Sequence, residues 1–505
     1  NSTLVKNTTA SNNTAVGALA LYATTTGSEN TALGISSSFS NTTGSCNVAL
    51  GRNALYTTTT GGQNIAIGTA ALYSNTTAIN NTAVGSNALL SNTTGGTNVA
   101  IGATALAANT EAGSNVAVGT GAMCTTTTGA GNTALGECAM KANTTGTLNV
   151  AVGHRSLCAN TTGYGNISIG QCSMKTNTEG FRNIALGQFS LCSNTTGDYN
   201  TALGYSSLAK NTTADCNIAV GYSSLPSNTT GASNVAVGQL ALNANTTGSG
   251  NVAVGSSALQ KNTTAGSSSA IGCLALYSNT TGSSNVAVGR SALQENTTGA
   301  SNTAVGKSAL VSNTTGTQNT SVGFESGLDI TTAEAITVTG NSAGRQITTG
   351  NGNTFFGSSA GCNVTTGNQN VAVGVNAGID AVRDLTGSCT GNIVIGNNAS
   401  VAAYIKIDWT VTSDLRDKTE IKNVKHGLDF VNQITPIEYK FKKSREDDTP
   451  HGTKKYGFKA QEILELEGDN PVIINNEDKE NLKLTSAHLI PVLVNAIKEL
   501  KAEIE

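Results

Sequence analysis

The sequence predicts an all-β repeat solenoid of 17-residue coils, a parallel β-roll or β-helix, followed by a small α+β domain that ends in a coiled-coil helix. A glycine preceded by Val, Ile or Leu recurs every 17 residues from Gly17 to Gly323, which makes 19 copies. Only 4% of the residues are aromatic, so a core of large side chains is not available. Residues 1–400 hold 12 basic and 12 acidic side chains, whereas residues 401–505 hold 16 and 19. This step marks a domain boundary near residue 400.

Each copy of the repeat carries the same residue types at the same places. In the copy around Gly85, Asn81 lies four residues before the glycine, Ala83 two before and Leu89 four after. Seventeen residues are too few for a pair of helices, and every copy contains helix breakers. We therefore expect each copy to form one coil that buries its apolar side chains against the coils above and below.

Two short strands and two turns would fit the length of one coil. The alternation from Asn81 to Val84 predicts a strand. We expect Val84 and Leu89 to point into the coil, and Ala83 to point outward, where a neighbouring copy of the chain packs closely. The glycine and the Asn-Thr-Thr-Gly segment supply turn conformations. Stacked asparagines are expected to form hydrogen-bonded ladders along the stack.

The repeat changes after residue 322 but keeps its period. Glycines at the repeat position continue, with an insertion of five residues before the last, at Gly340, Gly357, Gly374 and Gly396. Four residues after three of these, leucine is replaced by glycine. The sequence thus predicts a solenoid over residues 1–322 closed by variant repeats over residues 323–400. At ~4.8 Å per coil, the 23 coils would form a rod about 110 Å long.

The Asn-x-Ala-aliphatic-Gly unit resembles the left-handed β-rolls in the heads of trimeric autotransporter adhesins, which use a shorter period. The resemblance covers residues 1–400. It implies a left-handed solenoid, whereas parallel crossovers are normally right-handed, and it implies a trimeric rod.

Composition argues against nucleic acid and membranes as partners. The net charge of −3 favours neither nucleic acid nor an anionic membrane. The sequence contains no apolar run of the ~18 residues needed to span a bilayer, so no membrane insertion is expected.

Cys124, Cys158 and Cys192 recur 34 residues apart, which places them two coils or ~9.6 Å apart. That separation is too great for disulfides, so we expect free thiols.

The rod offers no residues for catalysis, and no metal or cofactor is expected. Its only histidine is His154, and the three later histidines lack metal-ligand spacing. The Asn-Thr-Thr turns on the repeat, such as those at Asn92 and Asn143, are also acceptor triplets for N-linked glycans. Their fixed position in the coil is explained more simply by roles in turns and ladders.

A short polar segment follows residues 401–412, which we interpret as a linker or strand. It reads Ser413-Asp414-Leu415-Arg416-Asp417-Lys418. A serine hydroxyl needs a base to act as a nucleophile, and a lysine can serve where burial lowers its pKa. Ser413 and Lys418 are close enough in sequence to make a hydrogen bond. The alternative is that Ser413 and Asp414 cap a helix and Lys418 lies in its first turn.

Residues 405–505 are similar to the self-cleaving C-terminal chaperone of endosialidase-type phage tailspikes, and we place the chaperone domain itself at residues 413–505. Two further stretches carry the likeness, Tyr456-Gly457-Phe458-Lys459-Ala460-Gln461-Glu462 and Leu489-Ile490-Pro491-Val492-Leu493-Val494-Asn495-Ala496-Ile497-Lys498-Glu499-Leu500. The resemblance implies a cut at the Thr412–Ser413 bond, with Ser413 as the nucleophile and Lys418 as the base. It also implies supporting roles for Asp414 and Arg416, and a homotrimer. Such an enzyme acts once, on its own chain.

The last helix carries apolar residues spaced by 3, 4, 3 and 4, at Ile490, Leu493, Ile497, Leu500 and Ile504. This spacing is typical of a coiled-coil seam. The alternative is a helix that packs only on its own domain.

These patterns favour a trimeric fibre on the surface of a virion, acting outside the cell and binding a host glycan or protein receptor. Other virion proteins would attach through an N-terminal region missing from this sequence. Two alternatives remain: a carbohydrate-degrading tailspike, which would need an acidic cluster, and a cell-surface trimeric adhesin, which would need a membrane anchor.

Overall fold

The computed structural model describes residues 2–379, 384–397, 399–400, 413–442, 445, 447–476, 479 and 482–505. It divides into two units, residues 1–338 and residues 339–505. The predicted linker over residues 401–412 lies outside the described residues.

The first unit is a stack of three-residue strands, one in each 17-residue copy. In chain order these strands, β1 to β19, are Thr14–Val16, Thr31–Leu33, Val48–Leu50, Ile65–Ile67, Thr82–Val84, Val99–Ile101, Val116–Val118, Thr133–Leu135, Val150–Val152, Ile167–Ile169, Ile184–Leu186, Thr201–Leu203, Ile218–Val220, Val235–Val237, Val252–Val254, Ser269–Ile271, Val286–Val288, Thr303–Val305 and Thr320–Val322. Strand β20, Thr337–Thr339, spans the boundary between the units.

Each strand from β1 to β19 pairs in parallel with the next, in a register that matches the repeat. Thr82 lies opposite Val99, and Ala83 lies opposite Ala100. The same 17-residue offset holds for every pair along this unit. The predicted parallel solenoid of 17-residue coils is therefore confirmed.

The prediction about which side chains face inward was wrong for the strand. Ala83 is fully buried, together with Leu89, while Val84 is only partly covered. At the ends of other strands the aliphatic residue is largely exposed, as Val16 is at 54%. The coil is narrow, so a leucine on one side leaves room only for alanine opposite it. The obligatory alanine is a consequence of packing inside the chain, and no neighbouring copy is needed to explain it.

The expectation of two strands per coil was also wrong, because the rest of each coil turns through left-handed corners. In the coil around Gly85, three non-glycine residues have positive φ: Asn80 at 62°, Asn87 at 58° and Leu89 at 51°. Such conformations are unfavourable for single L-residues and persist only where surrounding contacts hold them. Here each corner is hydrogen-bonded to the coil beside it, as Leu89 N donates to Ala105 O at 3.0 Å.

The predicted asparagine ladders are present, and there are two of them. In the first, the Asn98 backbone N–H donates to Asn81 Oδ1 at 2.9 Å, while Asn98 Nδ2 donates to Ala112 O at 2.9 Å. In the second, Asn109 Nδ2 donates to Asn92 Oδ1 at 2.7 Å. These side chains satisfy buried backbone groups at the turns, which would otherwise destabilise each coil.

Replacing Gly85 by alanine is expected to destabilise the solenoid by about 3 kcal/mol or more. Its φ is +137°, and an added Cβ would lie 2.5 Å from Gly102 O in the next coil. Neither backbone can yield without breaking the stack. Hydrogen exchange of the neighbouring coils would measure the loss. The exposed Ser86→Ala change is the matched control, expected within about 0.5 kcal/mol of the parent; equal exchange in both variants would contradict the steric argument.

The second unit begins with variant coils. Strands β21 (Thr354–Phe356), β22 (Val371–Val373) and β23 (Ile393–Ile395) pair in parallel, with Phe355 opposite Ala372 and Ala372 opposite Val394. The offset is 17 residues at the first step and 22 at the second, as the five-residue insertion predicts.

After residue 413 the second unit has a different architecture. Its elements are a 3-10 turn at Leu415–Asp417, helix α1 at Leu428–Gln433, strands β24 at Ile437–Lys442 and β25 at Pro450–Gly457, helix α2 at Ala460–Glu467, strands β26 at Ile474–Asn475 and β27 at Lys483–Leu484, a 3-10 turn at Ser486–His488 and helix α3 at Leu489–Ile504. Strand β24 pairs antiparallel with β25, and β26 with β27.

A small apolar cluster holds the three helices together. It joins Phe430 of α1, Ile463 of α2, and Leu489 and Val492 of α3. Glu499 of α3 also caps α1, since Leu428 N donates to its Oε2 at 2.6 Å. One face of α3 is thereby committed to its own domain.

Candidate functional site

Ser413 and Lys418 meet across a single 3-10 turn. Lys418 Nζ lies 2.7 Å from Ser413 Oγ and 3.2 Å from Ser413 O. The turn at Leu415–Asp417 reverses the chain between them, and Lys418 N donates to Leu415 O at 3.2 Å. The five-residue spacing thus brings the two predicted side chains into direct hydrogen-bond contact.

Asp414 and Arg416 lie beside this pair and organise the turn. Asp414 Oδ1 accepts from Arg416 N at 2.9 Å, and Arg416 Nη2 lies 2.5 Å from Asp414 Oδ2. The Arg416 hydrogen bonds hold the pKa of the Asp414 carboxyl below its ordinary value. Because both groups are exposed, their ion pair contributes little to stability. The contact that holds the turn is the cap, in which Asp414 Oδ1 accepts from the backbone N–H of Arg416.

The helix-capping alternative is right about Asp414 only. Asp414 is the N-cap of the turn, but no α-helix follows, and Lys418 has extended backbone with φ of −116°. The side chain of Lys418 therefore folds back from beyond the turn. Capping alone does not explain its contact with Ser413 Oγ.

The arrangement contains a hydroxyl and an amine at a distance that permits proton transfer. Both side chains are exposed in the single chain. Thr412, which would supply the carbonyl of the bond to be cut, lies outside the described residues. The geometry therefore provides the two predicted groups, and the position of the bond relative to them stays a prediction.

Helix α3 presents the predicted seam to solvent. Its residues Ile490, Ile497 and Ile504 are 61%, 66% and 77% exposed. The opposite face contributes Leu489, Val492 and Ala496 to the domain. Both sequence interpretations of this helix are therefore partly right: one face packs on its own domain, and the seam is left uncovered.

A second apolar surface was missed by sequence reasoning. The first and third residues of each strand point outward, so the strands carry two rows composed mainly of Thr, Val, Ile and Leu, which we call the strand face. In β6, Ile101 is 40% exposed, and in β8, Leu135 is 47% exposed. Neither row contains a charged residue in any of the 23 strands. That absence was visible in the sequence and is the signal that could have found this surface.

Within the described part of the chain, no three His, Cys, Asp or Glu side chains are grouped so that they could hold a metal ion. All ten cysteines are unpaired. No described helix is both long and apolar enough to cross a membrane.

Comparison with known families matches residues 413–470 to the family model for the chaperone of endosialidase. The match begins at Ser413 and includes the stretch from Tyr456 to Glu462, while the stretch in α3 lies beyond it. No curated protein matches the sequence. A β-solenoid joined to this chaperone segment indicates a tail-fibre-like or tailspike-like protein with a C-terminal chaperone domain.

Proposed function

We propose that this chain forms a trimeric attachment fibre, and that residues 413–505 align the three chains and then cut themselves away at the Thr412–Ser413 bond. The 2.7 Å contact between Lys418 Nζ and Ser413 Oγ is the observation that carries the cut. It lies at the first residue of the chaperone match. The fibre would act on a virion surface, outside the cell, and bind a host glycan or protein.

The repeat itself explains why such a fibre needs a chaperone. Thr82 pairs with Val99 through the same contacts by which Val99 pairs with Val116. A stack with only nearest-neighbour contacts can therefore begin to assemble several coils out of register. A device that joins the C-termini first would set the register, and its later removal would make the assembled fibre kinetically stable.

Two uncovered apolar surfaces support association of identical chains. The strand face is uncharged along the whole solenoid, and large exposed apolar surfaces of this kind usually mark interfaces. The seam of α3 has the spacing of a coiled coil. A second copy offers the same apolar rows at the same 17-residue intervals, so it matches the strand face along its length.

Changing Ile497 to asparagine is expected to prevent trimer formation, because it removes an apolar side chain from the centre of the α3 seam. Lys498→Asn is the matched control, since it introduces the same residue at an exposed position one step away. Analytical ultracentrifugation of both full-length variants would distinguish them. A trimer in the Ile497 variant would contradict the role of the seam.

The cut would be an acyl shift followed by hydrolysis. Neutral Lys418 Nζ takes the proton of Ser413 Oγ as the oxygen bonds to the carbonyl carbon of Thr412. The peptide C–N bond then breaks, and the Ser413 nitrogen takes that proton from the lysine. Water hydrolyses the resulting ester, which leaves a carboxylate on Thr412 and restores the serine hydroxyl.

Cleavage would follow assembly. A lysine becomes a useful base where burial disfavours its charged form. Ser413 and Lys418 are exposed in the single chain, so neighbouring chains would have to supply the cover. The proposal therefore predicts that chains unable to trimerise stay uncut.

Ser413→Ala is expected to give a chain of full mass, whereas the parent gives two fragments divided at Thr412–Ser413. Ser486→Ala is the control, because Ser486 is an exposed serine of the same domain. Mass spectrometry of the purified proteins measures the outcome. An intact parent would refute the protease assignment, and a cut Ser413 variant would exclude Ser413 as the nucleophile. In either case the oligomeric state tests the assembly role separately.

A further inference from the structure

The repeat contains fourteen Asn-Thr-Thr triplets, and the asparagines of all but the first, the exposed Asn7, lie in the core of the coils. Each triplet has the sequence that N-glycosylating enzymes accept. All thirteen asparagines have a solvent exposure of 0%: Asn41, Asn75, Asn92, Asn143, Asn160, Asn194, Asn211, Asn228, Asn245, Asn262, Asn279, Asn296 and Asn313. The folded rod therefore cannot offer any of them to a modifying enzyme.

The amide nitrogens of these asparagines use their hydrogens inside the stack. Asn160 Nδ2 donates to Asn143 Oδ1 at 2.8 Å and to Gly163 O at 2.9 Å. Asn194 repeats the pattern, with 2.8 Å to Asn177 Oδ1 and 2.9 Å to Gly197 O. An amide group has two hydrogens to donate. An N-linked glycan replaces one of them, so a modified asparagine would lose one ladder or turn hydrogen bond.

The sugar would also have no room. Neighbouring coils lie about 4.8 Å apart, as expected for paired strands. A single Cβ added at Gly197 would already lie 2.6 Å from Asn194 Oδ1 and 2.5 Å from Ala214 O. A glycan attached to Asn194 would therefore have to separate two coils, which breaks the stack at that point.

From this geometry we infer that the chain is made and folded where N-linked glycans are not attached, as in a cytoplasm, and that its thirteen acceptor asparagines remain unmodified. The timing rests on the proposed chaperone function. Residues 413–505 are synthesised after the whole solenoid, so every triplet would emerge before the device that aligns the fibre. In a glycosylating compartment the triplets would be open to modification first.

The repeat itself shows which substitution can remove the acceptor sequences without disturbing the buried asparagines. The second threonine of each triplet is exposed, as Thr43 and Thr162 are. In two coils this position holds Glu111 or Glu179, and their asparagines, Asn109 and Asn177, still join the ladder. Two further acceptor sequences with buried asparagines, at Asn166 and Asn319, end in Ser168 and Ser321, where most coils carry alanine. Replacing the second threonine by alanine in all thirteen triplets, together with Ser168→Ala and Ser321→Ala, therefore removes these acceptor sequences and leaves every buried asparagine in place.

The test compares two routes for the full chain. One sample is made in bacterial cytoplasm, and the other carries an added secretion signal and passes through the endoplasmic reticulum of a eukaryotic cell. We expect a protease-resistant rod from the first route. From the second we expect glycosylated chains, shifted in mobility by an amount that an endoglycosidase reverses, with loss of the resistant rod. The variant that lacks these acceptor sequences is expected to regain the rod by the second route.

Blocking glycan attachment with an inhibitor provides a second readout that needs no substitution. The parent should then fold in the secretory route as it does in the cytoplasm. The inference is overturned by a resistant rod that carries glycans on these asparagines, by a secreted rod that escapes modification, or by a chain that stays unfolded when attachment is blocked. A cytoplasmic rod that folds but is never cut would count against the proposed cleavage alone.

Discussion

Deleting residues 86–102, one whole coil, is expected to leave a folded and slightly shorter solenoid, whereas deleting residues 86–101 is expected to prevent folding of the coils around the junction. The first deletion joins Gly85 to Ala103, which occupies the same place in its coil as Ser86. The second joins Gly85 to Gly102 and leaves every later residue one position out of step.

The two deletions are expected to differ because side chains along a strand alternate between the two faces with a period of two residues. A shift of one residue exchanges the inward and outward positions of a strand. In β7, the first strand that follows the deletion, this would place Val116 or Val118 where Ala117 is now fully buried. It would also keep Asn115, the next asparagine of the ladder, from taking the place of Asn98 beside Asn81 Oδ1, leaving buried polar groups without partners at about 1–3 kcal/mol each. Removing a whole coil loses only one nearest-neighbour interface.

Protease resistance and circular dichroism of the two purified deletion proteins would measure this result. Both remove nearly the same length of chain from the same exposed corner, so each is the control for the other. Two folded products would show that the coils tolerate a change of register. Two unfolded products would show that this coil is needed for a reason other than its period.

The period could be predicted from sequence because it is a property of spacing alone, and the 17-residue register follows from it directly. The direction of the strand side chains could not, because Val84 is larger and more apolar than Ala83. Hydrophobicity alone favours burying the valine. The interior of the coil is too narrow for this, because the buried Leu89 side chain leaves room only for the alanine. Left-handed corners at residues such as Asn87 and Leu89 gave no signal that composition could reveal.

For the candidate site, residue types and spacing predicted the pair but not its setting. The contact between Ser413 and Lys418 follows from a chain reversal between them. The capping residue Asp414, which the sequence shows, is typical of the start of such a turn. The form of that reversal, a 3-10 turn with the lysine beyond it, depends on backbone angles that sequence does not specify. Sequence reasoning missed the strand face because its distinguishing feature is the absence of charged residues, whereas the motifs sought in the sequence were residues that are present.

One variant coil shows that interior volume can be conserved by exchange between two positions. In a typical coil these positions are Ala83 and Leu89, both fully buried. In the coil around Gly357 they are Phe355, also fully buried, and Gly361. A Cβ at Gly361 would lie 2.5–2.6 Å from atoms of the Phe355 ring. The phenylalanine ring therefore occupies the space that leucine fills elsewhere.

Restoring the usual pair in this coil is expected to be much less harmful than either half of the change. Phe355→Ala alone leaves a cavity at a cost of about 3–5 kcal/mol. Gly361→Leu alone forces a leucine into the ring and is expected to cost as much or more. The double variant recreates the packing of Ala83 and Leu89, with coupling of at least about 2 kcal/mol. Its backbone is already suitable, since φ is +57° at Gly361 and +51° at Leu89.

Hydrogen exchange at Phe355 and its neighbours would measure this coupling, because opening of a solenoid is local and a global melting temperature averages over all coils. Phe355→Ala combined with Leu89→Ala supplies the comparison, since residues in separate coils should add within about 0.5 kcal/mol. If Phe355 and Gly361 also proved additive, the two positions would not share one space. The absence of large side chains opposite each leucine would then need another cause than the width of the coil.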